Sequence, residues 1–157
     1  YYFKTKSILY AEVLEEILDE WMDEALTFDK HEEPKVALTH YIAAKMQFSR
    51  MRADASKVWA NEIIQNASMV NEFLQTTLKS WLENRVQVIN KWITEGKIDP
   101  VDPYALFYMI WSMTQHYADF ERQIVILNQD QPFTDAEYQQ KTEQVTRLIL
   151  KSVGLKP

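Results

Sequence analysis

Only two glycines, Gly96 and Gly154, occur in the 157 residues of this chain. Glycine is the residue that enters positive φ without steric cost, and strands joined by tight turns draw on it heavily. A chain this poor in it is expected to be all-α, with few breaks between its helices. The length suits one domain with a substantial core, and a 46% hydrophobic fraction is that of a folded chain rather than a disordered one. No cysteine is present, which excludes a disulfide scaffold and thiolate chemistry and fits a reducing compartment, so a cytoplasmic location is expected. Neither a secretory signal nor an apolar run of bilayer length can be found, and no membrane partner is expected. The formal charge of −6 repels phosphate, so this chain alone should hold nucleic acid weakly.

The periodicity predicts five long helices and one short one. The first runs from about Lys6 to Leu26, with Ile8, Leu14, Ile17, Leu18, Trp21, Met22 and Ala25 at steps of three and four and Thr5 as its N-cap. Pro34 suits the first turn of the second, which carries Ala37, Leu38, Tyr41, Ile42, Met46 and Phe48. A short third helix, about Ala55 to Asn66, presents Val58, Trp59, Glu62 and Ile63. The fourth spans about Met69 to Glu95 and is closed by Gly96; Pro100 and Pro103 hold off the next one. The fifth covers about Asp102 to Asn128. The last begins at Thr134, whose spacing to Glu137 is that of a capping box, and runs to Gly154.

The fifth helix is apolar all round between Tyr104 and Phe120, so it must be covered on more than one side. At about 100° per residue, Trp111 and Gln115 share a face, with Tyr104 and Tyr108 beside them. Leu106, Met109, Met113, Phe120 and Ile124 fall opposite. That second face, joined by the apolar stripe of the last helix, is expected to meet a second copy of the chain. Met113, Tyr117, Phe120, Ile124, Val145, Leu148 and Ile149 are the predicted contacts of a homodimer.

Tyr1-Tyr2-Phe3, a short polar break, Lys6 and then an amphipathic helix resemble the end of the helix-turn-helix in TetR-family regulators, where an aromatic run closes the recognition helix. Lys97-Ile98-Asp99-Pro100-Val101-Asp102-Pro103, Ile110-Trp111 and Thr114 to Phe120 are similar to the TetR subfamily of pyrimidine-utilisation regulators. The similarity runs over the whole chain, strongest in the fifth helix and weakest in the second and third. It implies a TetR-type C-terminal helical domain, a ligand cavity in each protomer and a dimer contact made by the last two helices. On this reading residues 1–5 are the remnant of a DNA-binding domain and 6–157 form the ligand-binding and dimerisation domain. Tyr1, Tyr2 and Lys6 then match positions that touch DNA phosphates, and operator DNA is reached through the missing N-terminal domain.

Within that frame Trp111 and Gln115 are the candidate ligand clamp. An indole stacks on a flat ring, and an amide offers both a donor and an acceptor to its polar edge. A core Trp beside a Gln bonded to backbone accounts for the same spacing. Trp59, Glu62 and Tyr108 are further candidates for the same cavity. Arg85 interrupts the fourth helix's stripe between Trp81 and Ile89; contact with an anionic effector is one reading, and the favoured one is a stem packed on the core with its head paired to a carboxylate. His116 and Asp119, three apart, suit a hydrogen bond better than a metal, because a site needs more ligands and no Glu-x-x-His motif is present. Nucleophile elbow, phosphate loop and HExxH are all missing, so no catalysis, no metal and no cofactor are expected. The function expected is effector sensing for a DNA-binding transcriptional regulator, with a small pyrimidine-like ligand. An unrelated hydrophobic or aromatic ligand, a helical-bundle enzyme and an interaction module are the alternatives.

Overall fold

The structure, a computed structural model, describes residues 5–29 and 33–157. Among these the chain is helical throughout, without a strand. In order the helices are α1 (Lys6–Asp29), α2 (Pro34–Met51), α3 (Ala53–Ile64), α4, α5 (Pro103–Asp119), α6 (Glu121–Leu127) and α7 (Asp135–Ser152). Helix α4 is one continuous run made of Asn71–Phe73, a π-helical turn at Leu74–Leu78, and Lys79–Thr94.

The ends of these helices follow from particular residues. Thr5 Oγ1 accepts the Ile8 N–H at 3.3 Å to start α1. The Asp102 side chain accepts from Tyr104 N, with Pro103 in the first turn of α5. Thr134 and Glu137 make the reciprocal capping box of α7. Both glycines close helices in the same way. Gly96 at φ +70° and Gly154 at φ +78° occupy the left-handed position, and the next residues bond back to the helix: Lys97 N to Trp92 O at 2.8 Å and Leu155 N to Leu150 O at 2.9 Å. Asn66, at φ 75°, does the same for α3, with Ala67 N bonded to Glu62 O at 2.9 Å. A chain with two glycines can therefore end three helices this way only by using asparagine for the third.

The fifth predicted helix is two. Phe120 adopts φ −113°, ψ 27°, which leaves the helical region and separates α5 from α6. The core has two parts. The larger joins the C-terminal end of α1, α2, the C-terminal part of α4, α5 and α7 around Phe28, Tyr41, Trp92 and Phe107. The smaller joins α1, α3 and the end of α2 around Leu14, Ile17, Phe48 and Trp59. Ile8, Leu9 and Val13, on the N-terminal half of α1, remain exposed.

Helix α2 sits at the centre and packs on α1, α5 and α7. Its Arg50 holds the start of α7, bonding Asp135 at 2.7 Å and lying over the Tyr138 ring. Tyr138 donates its hydroxyl to Met46 O at 2.6 Å, and burial pushes that hydroxyl's pKa up. This docking corrects part of the predicted dimer contact. Ile149, 0% exposed, lies in the protomer's own core, because the stripe of α7 is used against α2 and α5. Leu106, expected on the outward face of α5, is buried there too. Leu148, 53% exposed, and Phe120, 55% exposed, stay outside.

Gly154 and Gly96 separate in their surroundings. A Cβ on Gly154 would lie 2.4 Å from Asp99 Oδ2, whereas one on Gly96 would meet nothing within 4 Å. Gly96→Ala should cost about 1–2 kcal/mol, the left-handed penalty alone. Gly154→Ala should cost more, because the Asp99 carboxylate must also move. Chemical denaturation of the two variants checks the order.

Candidate functional site

A cavity of about 430 Å³ lies where the two core clusters meet. One wall comes from α1, α3 and the start of α4: Trp21 packs on Trp59 with ring centroids 4.8 Å apart, and Phe73 meets Trp59 edge-on at 6.1 Å. The other comes from α2, α4 and α5, where Tyr41 packs on Trp81 at 5.9 Å and Trp111 on Phe107 at 6.2 Å. Leu74 and Leu78 complete the α4 side. Phe73 and Leu78 are five residues apart, which in a regular α-helix separates them by about 140°. The wider π turn between them brings both to the cavity. Ile63 and Ile64 belong to the wall and are also exposed, so this end opens to solvent.

The polar groups lie on facing turns of α2 and α5. Trp111 donates its indole N–H to the Tyr41 hydroxyl at 2.9 Å, which fixes the plane of the ring. Gln115 stands one turn further along α5, and Lys45 one turn further along α2. The Lys45 residue is 5% exposed, with its ammonium 4.1 Å from the centroid of the Trp21 ring. The indole N–H groups of Trp21 and Trp81 are buried without a hydrogen-bond partner among the described residues. Asp119, one turn beyond Gln115, accepts the Ser56 hydroxyl at 2.6 Å. Burial pushes its carboxyl up from the usual carboxylate range, against the opposing effect of Ser56, Lys45, Lys57 and His116.

The structure brings Trp111, Gln115 and Trp59 to this cavity, and leaves out two other predicted residues. Glu62 is 4% exposed, but its carboxylate is taken by the Tyr10 hydroxyl at 2.9 Å and by Met69 N at 2.8 Å. That double acceptance ties the loop after α3 to α1 and turns Glu62 away from the lumen. Burial, and then the hydrogen bond to Glu62, raise the pKa of Tyr10. Tyr108 is exposed, stacked outside against Tyr104 and Trp111. It lies nearly half a turn beyond the buried face of α5, past the edge that Trp111 and Gln115 occupy.

Among the expected dimer contacts, Met113, Tyr117, Val145 and Leu148 line a shallow groove between α5 and α7, while Ile124 is half-buried on α6. Lys6 is exposed at the start of α1; Tyr1 and Tyr2 lie outside the described residues. Arg85 places its guanidinium over the Phe28 ring at 5.8 Å, and desolvation lowers its pKa. His116 stacks on Phe120, centroids 4.9 Å apart, while the Asp119 carboxylate turns to Ser56 instead of His116. No cluster of three or more His, Asp or Glu able to hold a metal ion exists among the described residues. None of their helices is long and apolar enough to cross a membrane.

The periodicity reading missed Lys45, Tyr41 and Trp21 as cavity groups. A signal for Lys45 was present: it falls four residues after Tyr41 and three after Ile42, inside an apolar stripe.

The chain is similar to known proteins along its whole length. A TetR-type family model, described as the C-terminal region of YcdC-like protein, matches residues 14–156. The HTH-type transcriptional regulators RutR of Escherichia coli strain K12, Escherichia coli O157:H7 and Shigella flexneri are each 34% identical to it over 157 residues. The match covers 100% of this chain and 73% of each of those proteins.

The environment of Asp119 generates a pH-dependent expectation. A carboxyl whose folded pKa is raised binds more protons in the native than in the unfolded state, so stability falls as pH rises from its ordinary value through the raised one. Asp119→Asn keeps an acceptor for Ser56 and removes the buried charge. The variant should be more stable than the parent at neutral pH, and the gain should shrink as pH falls from the raised value toward about 4, the ordinary carboxylate value, where it is nearly gone. Thermal melts across pH 3 to 8 measure both.

Proposed function

The chain belongs to the TetR family of transcriptional regulators, and from that premise we propose that residues 6–157 sense a small flat ligand and dimerise on behalf of a DNA-binding region. The observation that carries this reading is the aromatic cavity with Trp111 and Gln115 in its wall. Trp111 offers a flat face whose plane is held by Tyr41, and Gln115 offers a donor and an acceptor one turn away. A pyrimidine-like ring matches that pair. Ile63, Phe73, Leu74 and Leu78 favour a second reading, the same regulator with a more hydrophobic aromatic effector.

The coupling to DNA is a population shift. Trp59, in the cavity wall, and Glu62, bonded to Tyr10 of α1, lie three residues apart on α3. An occupant that displaces α3 therefore acts on the helix nearest the DNA-binding region. In a dimer this changes the separation of two reading heads, which must match half-sites about one helical turn apart. The partner is a second copy, joined through the groove between α5 and α7 and the exposed Phe120 and Leu148. Lys6 and the preceding Tyr1 and Tyr2 are the positions offered to phosphate.

Calorimetry with uracil and thymine tests the ligand. Gln115→Leu should weaken binding about 5- to 150-fold, the effect of leaving a polar edge unpaired at roughly 1–3 kcal/mol, with the melting temperature little changed. An unchanged response would make the pair structural and favour the hydrophobic effector. Phe120→Glu should convert the dimer to monomer in sedimentation at micromolar concentration, since the interface would bury an unpaired charge. A parent chain that sediments as a monomer would remove the dimer from this scheme.

A further inference from the structure

We propose that the effector has two parts: a flat ring with a polar edge, lying against Trp111 and Gln115, and an apolar chain that leads from the ring to the opening at Ile63 and Ile64. The inference rests on the sensor reading above and narrows its ligand class. A dry cavity of about 150 Å³ accepts one benzene ring. This cavity measures about 430 Å³, so a lone pyrimidine would fill about a third of it. The wall around the remainder would forfeit the contacts that a larger ligand makes.

The wall is divided in its chemistry. Tyr41 and Lys45 on α2 and Gln115 on α5 carry polar atoms. Trp21 and Trp81 also line the cavity, but their indole N–H groups are buried, so these two offer it ring carbon. From α3 and α4 come Ala60, Ile63, Ile64, Phe73, Leu74 and Leu78, none of which has a polar side chain. A polar ring edge placed against them would go unpaired, and water there would find no side-chain partner. Methylene groups gain on that surface by leaving water. The π turn enlarges it, since a regular helix would not bring both Phe73 and Leu78 to the cavity. Ile63 and Ile64, the last two residues of α3, belong to the same wall and are exposed, so a chain directed to them covers apolar surface otherwise left to solvent.

The test is calorimetric titration of this chain with uracil and with 5- and 6-alkyluracils from ethyl to hexyl. In at least one of the two series affinity should rise by up to about fourfold per added methylene, which corresponds to about 0.8 kcal/mol for each one buried. Ile63→Gln and Leu74→Gln, both at positions partly open to solvent, should each reduce that rise while leaving uracil unchanged. Gln115→Leu should weaken uracil and its hexyl derivative by the same factor. Circular dichroism selects the variants that retain the fold. If no alkyl derivative binds more tightly than uracil, or if the two wall variants leave the rise intact, the chain inference falls and the sensor reading stands. A hexyl derivative indifferent to Gln115→Leu would seat its ring elsewhere and also overturn the two-part ligand. If neither uracil nor any derivative binds, both the inference and the sensor reading fall.

Discussion

Two hydrogen bonds lock α2 to α5: the Ser49 hydroxyl donates to Thr114 O at 2.8 Å, and the Trp111 indole N–H donates to the Tyr41 hydroxyl at 2.9 Å. Ser49 and Thr114 are both buried, so slipping either helix along the other would leave polar groups unpaired in the core. Apolar packing alone tolerates small sliding; these bonds do not. They set the register in which Tyr41 and Lys45 face Trp111 and Gln115, and so they set the chemistry of the cavity. The same α2 presents Met46 O to Tyr138 and Arg50 to Asp135, so the position of α7 is referred to it as well.

The cavity persists because its walls are made of rings held by their own neighbours. Trp21 leans on Phe48 and Trp59, while Trp81 leans on Tyr41 and Phe107. Collapse into the space would break these contacts on both sides. A close-packed interior of this size ordinarily tolerates few voids, so stiff walls are needed to hold one open. The π turn contributes at the α4 side by keeping Phe73, Leu74 and Leu78 together on one face.

What the sequence made legible is mostly local. Gly96, Gly154, Pro103, Asp102 and the Thr134–Glu137 pair mark helix ends because each acts through backbone chemistry within a few residues. The apolar stripe of α7 was equally readable, but its partner was not. A stripe shows that a helix is covered on one side without naming the cover, and so Ile149 was assigned to a second copy when it lies at 0% exposure in the protomer's own core. The break at Phe120 escaped because Phe is an ordinary helical residue with no stop signal beside it. Trp111, Gln115 and Trp59 emerged from helical faces and from family resemblance together. Glu62, from the same reasoning, was turned elsewhere by a hydrogen bond to Tyr10, 52 residues away in sequence, which no periodicity encodes.

That long-range bond also explains why α3 can serve two clients. Its C-terminal turn ends with Asn66 and Ala67 both at positive φ, and a non-glycine residue such as Ala67 holds that conformation only where its surroundings impose it. Glu62 supplies part of that constraint twice, through its backbone carbonyl to Ala67 N and its carboxylate to Met69 N. The remaining carboxylate oxygen goes to Tyr10. The strained loop, α1 and the cavity wall at Trp59 and Ile63 therefore share one anchor, and none of the three can shift without the carboxylate exchanging at least one partner.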